Sequence, residues 1–355
     1  MLHDVRTSNY HPKTKSGVGR GTIELNIFES SVLKDNPLGD PSARVIPVYL
    51  PPSYNTSKTR RYPVIYMLTG FTGTGLHHIN FSFMYPSLPE RLESLFSKKA
   101  MPELIVVMPD CMTRFGGSQY INSEGTGRYE DHLIKELIPF IDSRYLTLAK
   151  REHRAVMGKS SGGYGALVLG MRYPEIFSSI ACHSGDMYFE LCYGVEFPIA
   201  CRILEKHGGS LKKFYANFES APKKPPDVFP LVNCVAMAAA YSPTTKRTFP
   251  QNLDLPFDIH TCERNSEIWE KWLEHDPVSL IDKKKYQDAL RQMKLLFIDC
   301  GKKDEFHLQF GSRIFSKRLT KLGLRHRYEE FDDTHMDIAY RYETSLPLIA
   351  KAIKV

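Results

Sequence analysis

The stretch RAVMGKSSGGYGALVLGMRY, residues 154–173, decides the fold of this 355-residue chain. Its first residues form a short apolar run, which is typical of a strand buried on both faces of a parallel sheet. A turn rich in glycine and serine follows, and then an apolar segment that favours a helix ending before Pro174. A strand, a turn and a helix in this order predict one repeating unit of an α/β fold.

The turn contains the pattern G-x-S-x-G, with Gly158, Ser160 and Gly162 at the fixed positions. In this pattern the serine occupies a sharp turn that exposes its hydroxyl as a nucleophile. The residues two before and two after it must be small, because side chains there would collide across the turn. Centring the pattern on Ser161 would put the bulky Lys159 at such a position, so the spacing favours Ser160. The alternative is a helix start capped by serine, with nearby glycines by chance.

Similar units lie on both sides of this stretch. Runs that predict further strands lie at residues 21–33, 43–52, 62–68, 103–110, 177–185, 294–301 and 325–332. Segments with helical spacing lie at residues 127–145, 310–323 and 345–355, the last beginning near Pro347. We therefore expect a single α/β domain over residues 1–355, with about eight strands, the first two antiparallel and the others mostly parallel. The alternation breaks at about residues 187–275, which we interpret as a cap-like insertion over the site.

A serine nucleophile needs a base, and in this architecture the acid and the histidine follow it on loops after later strands. Asp304 follows the strand predicted at 294–301, and its neighbour Glu305 is the alternative acid. His335 lies just past the last predicted strand and is the expected base, ahead of His307 and His326. An oxyanion hole needs two N–H donors, for which the sequence offers Ser161 and, in the loop YMLTGFTG that Gly70 allows to turn, Phe71.

The composition argues against other classes of protein. The net charge is +7, and the basic residues occur in short groups such as 283–285 rather than in a stripe, so no nucleic-acid partner is expected. No apolar run reaches membrane-spanning length, and residues 1–21 lack the apolar core of a signal peptide, although an export signal removed earlier is compatible with this. Seven irregularly spaced cysteines favour a reducing compartment, which predicts a cytoplasmic protein. Neither metal-ligand spacing nor a nucleotide fingerprint is found, so no metal and no cofactor are expected.

Several segments together resemble the α/β-hydrolase esterases related to S-formylglutathione hydrolase (esterase D), feruloyl and acetyl-xylan esterases, enterochelin esterases and mycolyltransferases. The matching segments are VYLPPSY, YPVIYMLTGFTG, LIVVMPD, GRYEDHLIKELIPFIDSRY, GKSSGGYGAL, HSGD, DCGKKDEF and THMDIAYRY, within residues 43–350. The resemblance implies an α/β-hydrolase fold and hydrolysis of a small ester through an acyl-serine intermediate. It assigns the catalytic roles to Ser160, Asp304 and His335, and the oxyanion donors to Phe71 and Ser161.

The resemblance also points to a substrate pocket. Residues expected there are Gly70, Tyr120, Asn122 and His183, together with Ser123 and Ser184 beside them. Aromatic side chains of the insertion, Trp269 among them, are expected either to wall an acyl or aryl pocket or to pack the insertion against the sheet. Three other functions stay open: a thioester hydrolase, an acyltransferase with the same triad, and a binding protein on this fold without catalysis. A homodimer is a candidate assembly.

Overall fold

A computed structural model describes residues 5–6, 20–56 and 59–354. The stretch examined for a signal peptide, residues 1–21, therefore lies largely outside the described residues. The main sheet consists of nine strands in this part of the chain: β1 (Val5–Arg6), β2 (Thr22–Glu29), β3 (Ala43–Leu50), β4 (Val64–Leu68), β5 (Ile105–Val107), β6 (Arg154–Lys159), β7 (Ser179–His183), β8 (Leu295–Gly301) and β9 (Arg327–Phe331). A separate ladder pairs Asn122–Ser123 with Gly127–Arg128.

The strands lie in the order β1-β2-β3-β5-β4-β6-β7-β8-β9. The pairs β1/β2, β2/β3 and β3/β5 are antiparallel, and every later pair from β5/β4 to β8/β9 is parallel. Eight of these strands match the predicted runs, and β1 is the addition. The predicted α/β architecture, with a mostly parallel sheet whose first strands are antiparallel, is confirmed.

The helices connect the strands and cover both faces of the sheet. The α-helices are α1 (Leu88–Ser97), α2 (Tyr129–Asp131), α3 (Ile138–Arg144), α4 (Ser161–Arg172), α5 (Phe189–Cys192), α6 (Phe197–Glu205), α7 (Leu211–Ser220), α8 (Phe229–Tyr241), α9 (Ser266–Leu273), α10 (Pro277–Leu280), α11 (Lys284–Arg291), α12 (Leu308–Lys321) and α13 (Tyr342–Ile353). A π-helical stretch, His132–Leu137, joins α2 to α3. Short 3-10 helices occupy Tyr54–Thr56, Gly75–Ile79, Arg151–His153, Gly194–Glu196, Pro226–Val228 and Ile338–Arg341.

The prediction for the last helix was wrong at its start. Pro347 lies inside α13, which begins at Tyr342. Tyr342, Leu346 and Ile349 are all buried, so packing of this face against the sheet stabilises the turns before the proline. Gly323, the last residue of the predicted segment 310–323, follows the C-terminal end of α12 and lies in the left-handed region at φ +65°.

Two apolar cores lie on opposite faces of the sheet, as the alternation along β4 shows. Val64, Tyr66 and Leu68 belong to one core, and Ile65 and Met67 belong to the other. The first core includes side chains of α4 and of the helices α5–α9, which fill the segment predicted as an insertion. The second core lies beneath α1 and α13. Loops that leave the carboxyl ends of β4, β6, β7 and β8 therefore converge at one edge, where ligands of parallel sheets bind.

Candidate active site

The turn after β6 has the geometry of a nucleophile elbow. Ser160 has φ 58° and ψ −129°, a region that a residue other than glycine seldom adopts and that stores strain. A Cβ on Gly158 would lie 2.5 Å from the backbone carbon of Gly162, and a Cβ on Gly162 would lie 2.4 Å from the carbonyl oxygen of Leu68. Both positions therefore require glycine, because the turn is pressed against β4.

The two serines of the turn have different environments. The backbone N–H of Ser160 donates to the carbonyl of His183 at 2.9 Å, and its carbonyl accepts from Tyr164 at 2.9 Å, which fixes the turn at both ends. Ser161 is the first residue of α4, and its buried hydroxyl donates to Asp186 Oδ2 at 3.1 Å. The strained turn thus presents Ser160, while the hydroxyl of Ser161 is held by a carboxylate.

The loop after β4 lies directly against this turn. A Cβ on Gly70 would lie 3.3 Å from the Cβ of Ser160 and 3.8 Å from its Oγ. The N–H groups of Phe71 and Ser161 donate no hydrogen bond to other described residues, whereas the N–H of Thr72 donates to Gly116 at 2.8 Å. Two free backbone donors beside the serine hydroxyl can form an oxyanion hole.

The two candidate acids have separate hydrogen bonds to His335. Asp304 Oδ2 accepts from His335 Nδ1 at 2.8 Å, and its Oδ1 accepts from the N–H of Phe306 at 3.0 Å. Glu305 Oε2 accepts instead from the backbone N–H of His335 at 2.7 Å. Asp304 orients the imidazole, and Glu305 holds the loop that carries it.

Ser160 lines a small pocket, and His335 packs against a residue of its wall. The ring of Phe306, which lies in the pocket wall with Ser160, has its centroid 4.8 Å from that of His335. Ser160 Oγ and the ring of His335, both within the described part of the chain, make no hydrogen bond with each other. In ligand-free serine hydrolases this bond is often long and tightens only when a substrate binds. A serine, a histidine and a carboxylate placed in this way can act as nucleophile, base and orienting group.

A second Ser-His-Asp set lies inside the fold. His183 Nδ1 bonds Asp299 Oδ1 at 2.7 Å, and its Nε2 bonds Ser345 Oγ at 2.8 Å. All three side chains are fully buried, and Asp299 Oδ2 also accepts from Arg341 Nε at 2.9 Å. No substrate can reach this set. The prediction that His183 contacts substrate is corrected accordingly, because its ring points to the core beneath α13.

Three other residues expected at the pocket are engaged elsewhere. Tyr120 is buried, and its hydroxyl donates to the carbonyl of Thr69 at 2.6 Å, so it supports the loop of the oxyanion hole. Asn122 is exposed and accepts from the N–H of Asp131 at 3.0 Å, which fixes the start of a helix. Trp269 is buried, with its Nε1 donating to Glu190 at 3.1 Å, so packing of the insertion explains it. The structure places none of the three in the pocket wall.

The wall of the small pocket contains Tyr193, one of the aromatic side chains of residues 187–275 expected at a pocket, together with residues that the sequence did not indicate. The cavity measures about 30 Å³ and is lined by Phe71, Ser160, Ser161, Asp186, Cys192, Tyr193, Phe229, Asn233 and Phe306. Four of these come from helices α5 and α8 or the turn after α5, so the insertion does contribute to the site. Asp186 lies in the segment HSGD just past β7, and its place at the carboxyl edge of the sheet was the signal for it.

A larger cavity of about 430 Å³ adjoins the loop that follows β4. Its wall includes Gly70, Phe71, Lys159 and the two residues after His335, Met336 and Asp337. Burial lowers the pKa of Lys159, and the carboxylates of Asp304 and Asp337 oppose that change. The bulky residue of the elbow therefore has its place in this wall, where it makes no salt bridge with any described residue.

The described residues contain neither a metal-binding group nor a membrane-spanning helix. No three or more His, Cys, Asp or Glu side chains in that part of the chain are arranged to hold a metal ion. None of its helices combines the length and apolar character needed to cross a bilayer. All seven cysteines are free thiols, and six of them are buried.

Residues 41–346 match the family described as "Putative esterase". The chain belongs to this esterase family. Among curated relatives, an esterase of Mycobacterium tuberculosis is 30% identical over 188 residues, which are 52% of this chain and 37% of that protein. The chain thus spans little more than a third of that relative's length. The family expected from the motifs is confirmed.

Solved structures share the fold at low sequence identity. An S-formylglutathione hydrolase from Agrobacterium tumefaciens is 16% identical, with a TM-score of 0.57 over 96% of this chain and 98% of the other. A feruloyl esterase from Anaeromyces mucronatus, solved with ferulic acid, is also 16% identical, with a TM-score of 0.57 over 98% of both chains. These likenesses confirm the α/β-hydrolase fold.

Proposed function

We propose that this chain hydrolyses carboxylic esters of small molecules through an acyl-enzyme on Ser160. The observation that carries the proposal is the 2.8 Å hydrogen bond between His335 Nδ1 and Asp304 Oδ2, beside Phe306, which lines the small pocket together with the strained Ser160. Family membership supports the reaction class, and the elbow, the orienting carboxylate and the two free N–H donors support the assignment of roles.

In the acylation step, His335 Nε2 takes the proton of Ser160 Oγ as that oxygen attacks the ester carbonyl. Asp304 holds the imidazole in the tautomer with a proton on Nδ1 and stabilises the imidazolium that forms. The N–H groups of Phe71 and Ser161 donate to the developing oxyanion, and losing one such donor typically costs about 100- to 1,000-fold in rate.

The same groups act in reverse order to complete turnover. The imidazolium gives its proton to the leaving alkoxide as the tetrahedral intermediate collapses. His335 then removes a proton from water as the water attacks the acyl-serine carbonyl. When the second tetrahedral intermediate collapses and the bond between the acyl carbon and Oγ breaks, the imidazolium returns this proton to Ser160 Oγ and the free acid is released. The cycle thus combines nucleophilic attack by Ser160 with proton transfer by His335 and stabilisation of the oxyanion.

Ser160→Ala tests the proposal, and the buried set supplies a matched control. We expect Ser160→Ala to lose roughly 10⁶-fold in kcat on p-nitrophenyl acetate and all labelling by a fluorophosphonate probe. Ser345→Ala removes a serine that also bonds a histidine, but in the closed interior, so its labelling per folded molecule should equal that of the wild type. Labelling that survives in Ser160→Ala would refute the assignment of the nucleophile.

Hydrolysis of oxygen esters differs from thioester hydrolysis in the leaving atom, and from acyl transfer to an alcohol in the acyl acceptor. The rate with matched oxygen and sulfur esters of one acyl group distinguishes esterase from thioesterase activity. Product analysis with added alcohols distinguishes transfer to an alcohol from transfer to water. We expect free acid from an oxygen ester as the main product.

The location and the assembly of the protein stay predictions. Seven free thiols, of which six are buried, support a reducing compartment such as the cytoplasm. The candidate homodimer rests on no described contact and is decided by light scattering on the purified protein. A mass of about 40.7 kDa would identify a monomer and so contradict it.

A further inference from the structure

A buried carboxylate shares the small pocket with the nucleophile. Asp186 is 5% exposed and lies in the same wall as Ser160. Ionised carboxylates inside a protein are costly unless their oxygens accept hydrogen bonds. The question is therefore which bonds Asp186 makes and which it leaves unmade.

One oxygen of Asp186 accepts every hydrogen bond that the side chain makes. Its Oδ2 accepts from Tyr193 OH at 2.9 Å, from Gln119 Nε2 at 3.1 Å and from Ser161 Oγ at 3.1 Å. Oδ1 accepts no hydrogen bond from any described residue. Asn233, also in the wall, donates its amide nitrogen to Glu196 at 2.7 Å and leaves its amide oxygen without a described partner.

Two other buried aspartates of this chain use both oxygens. Asp276 accepts from the N–H groups of Tyr188 and Val278 on Oδ1 and from Phe189 on Oδ2, all at 2.9 Å. Asp299 likewise bonds His183 with Oδ1 and Arg341 with Oδ2. A purely structural role for Asp186 accounts for Oδ2 but leaves Oδ1 unexplained. Burial also raises the pKa of Asp186, so a hydrogen-bond donor on a ligand would compensate for lost hydration.

The direction of the leaving group assigns the small pocket to the acyl group. His335 must protonate the leaving alkoxide, and the next two residues, Met336 and Asp337, lie in the wall of the large cavity. The leaving group therefore extends into the large cavity, and the acyl group enters the small pocket, whose wall includes Ser160. With about 30 Å³, that pocket accepts only a few non-hydrogen atoms.

We propose that Asp186 selects a short acyl group that carries a hydrogen-bond donor, a hydroxyl or an ammonium, on the carbon next to the carbonyl. Oδ1 accepts from that donor, and the amide oxygen of Asn233 is a second acceptor in the same wall. This inference rests on the proposed ester hydrolysis and adds the class of acyl group to it.

The first test uses p-nitrophenyl esters of three acyl groups of equal size on the unmodified protein. Glycolyl carries a hydroxyl, glycyl carries an ammonium and propionyl carries a methyl group at the same position. Each kcat/KM is divided by the rate constant of the ester with hydroxide to remove intrinsic reactivity. We expect glycolyl or glycyl to exceed propionyl by roughly 10- to 100-fold, the range for a hydrogen bond to a charged group. The larger of the two identifies the donor.

Variants of the carboxylate then test its role, with the ratio to propionyl as the readout in each protein. Asp186→Ala should bring the ratio near one. Asp186→Asn keeps an acceptor for the three donors at Oδ2 and puts an amide nitrogen in place of Oδ1, so the preference for the glycyl ester should vanish. This variant provides the test if Asp186→Ala fails to fold. The control Gln119→Met removes one donor to Oδ2 from outside the pocket wall and leaves Oδ1 unchanged, so its ratio should stay within about threefold of the wild type.

The two proposals fail in different ways. Turnover of propionyl and glycolyl esters at equal corrected rates, with glycyl no faster, would overturn the role of Asp186 and leave ester hydrolysis standing. A wild-type preference that persists in Asp186→Ala would overturn it as well. Absence of turnover with all three esters, together with an unlabelled Ser160, would refute the proposed function itself.

Discussion

Replacing Asp304 by asparagine should stop His335 from acting as a base while keeping a side chain of the same size at position 304. Asp304 accepts from His335 Nδ1 at 2.8 Å on Oδ2, which also accepts from the Cys300 thiol at 3.7 Å, and from the N–H of Phe306 at 3.0 Å on Oδ1. An asparagine amide offers one oxygen, which accepts, and one NH₂ group, which donates. One of the two N–H groups, that of His335 Nδ1 or that of Phe306, would therefore face the NH₂ group. If the oxygen stays with Phe306, the imidazole can bond the amide only by accepting at Nδ1, and Nε2 then carries the proton. A protonated Nε2 cannot take the proton of Ser160.

The tautomer change sets the expected size of the effect. The corresponding aspartate-to-asparagine change in a serine protease triad costs about 10⁴-fold in kcat with the geometry intact, and we expect a similar loss here. Glu305→Gln is the matched control, because the amide oxygen of glutamine can still accept from the backbone N–H of His335, now at 2.7 Å. Replacing a charged acceptor by a neutral one at that position should cost roughly tenfold or less.

Rates on p-nitrophenyl acetate, with thermal unfolding of each variant, decide between the two acids. A loss of about 10⁴-fold in Asp304→Asn and tenfold or less in Glu305→Gln would support the assignment. The reverse order would show that Glu305 orients the imidazole. An Asp304→Asn protein within tenfold of the wild type, folded and labelled at Ser160, would refute the tautomer argument.

Three further variants test the packing and electrostatics around the site. Gly162→Ala should lower the free energy of unfolding by about 1–3 kcal/mol or more, since its Cβ would lie 2.4 Å from the carbonyl oxygen of Leu68. Gly323→Ala, where the Cβ meets open space but φ is +65°, should lower it by about 1–2 kcal/mol. Urea titrations measure both values. His183→Gln should lower the free energy of unfolding by about 3–5 kcal/mol, the usual cost of removing one partner of a buried pair. It should keep kcat per folded molecule within tenfold of the wild type. A kcat loss as large as that of Ser160→Ala would contradict a structural role. Burial raises the pKa of Glu196 from 4.5 to about 8, so between these pH values the folded state holds a proton that the unfolded state releases. The free energy of unfolding therefore falls as pH rises, by about 1.4 kcal/mol per pH unit from this group. Glu196→Gln should flatten that slope between pH 5 and 8, and equal slopes in the variant and the wild type would contradict the argument.

Much of the fold follows from local sequence. Runs such as residues 62–68 are apolar throughout because both faces of the central sheet are covered, and the structure has a strand at each predicted position. The start of α13 was missed for a physical reason. Proline usually marks the first turn of a helix, but the buried side chains of Tyr342 and Leu346 hold the turns that precede Pro347.

The site is less predictable because its residues come from distant parts of the chain. Spacing alone was enough to favour Ser160 over Ser161, since the steric conflict it reflects is local to the turn. Asp186, Asn233 and Phe306 line the small pocket only because β7, α8 and the loop after β8 meet at one edge of the sheet. The 187–275 segment has no regular alternation with strands from which that meeting could be inferred.

The two Ser-His-Asp sets show where residue type stops being informative. Asp299 and His183 are partners in the register of β8 and β7, and Phe297 and Ala181, two residues earlier in each strand, belong to the core beneath α13. Alternation therefore fixes both polar side chains on that closed face, opposite a serine of α13. Asp304 and His335 come after their strands end, where the chain is free to turn towards the elbow. The decisive property is thus whether a residue lies within a strand or beyond it, and a shift of one or two residues in a predicted strand end is enough to exchange a structural pair for a catalytic one.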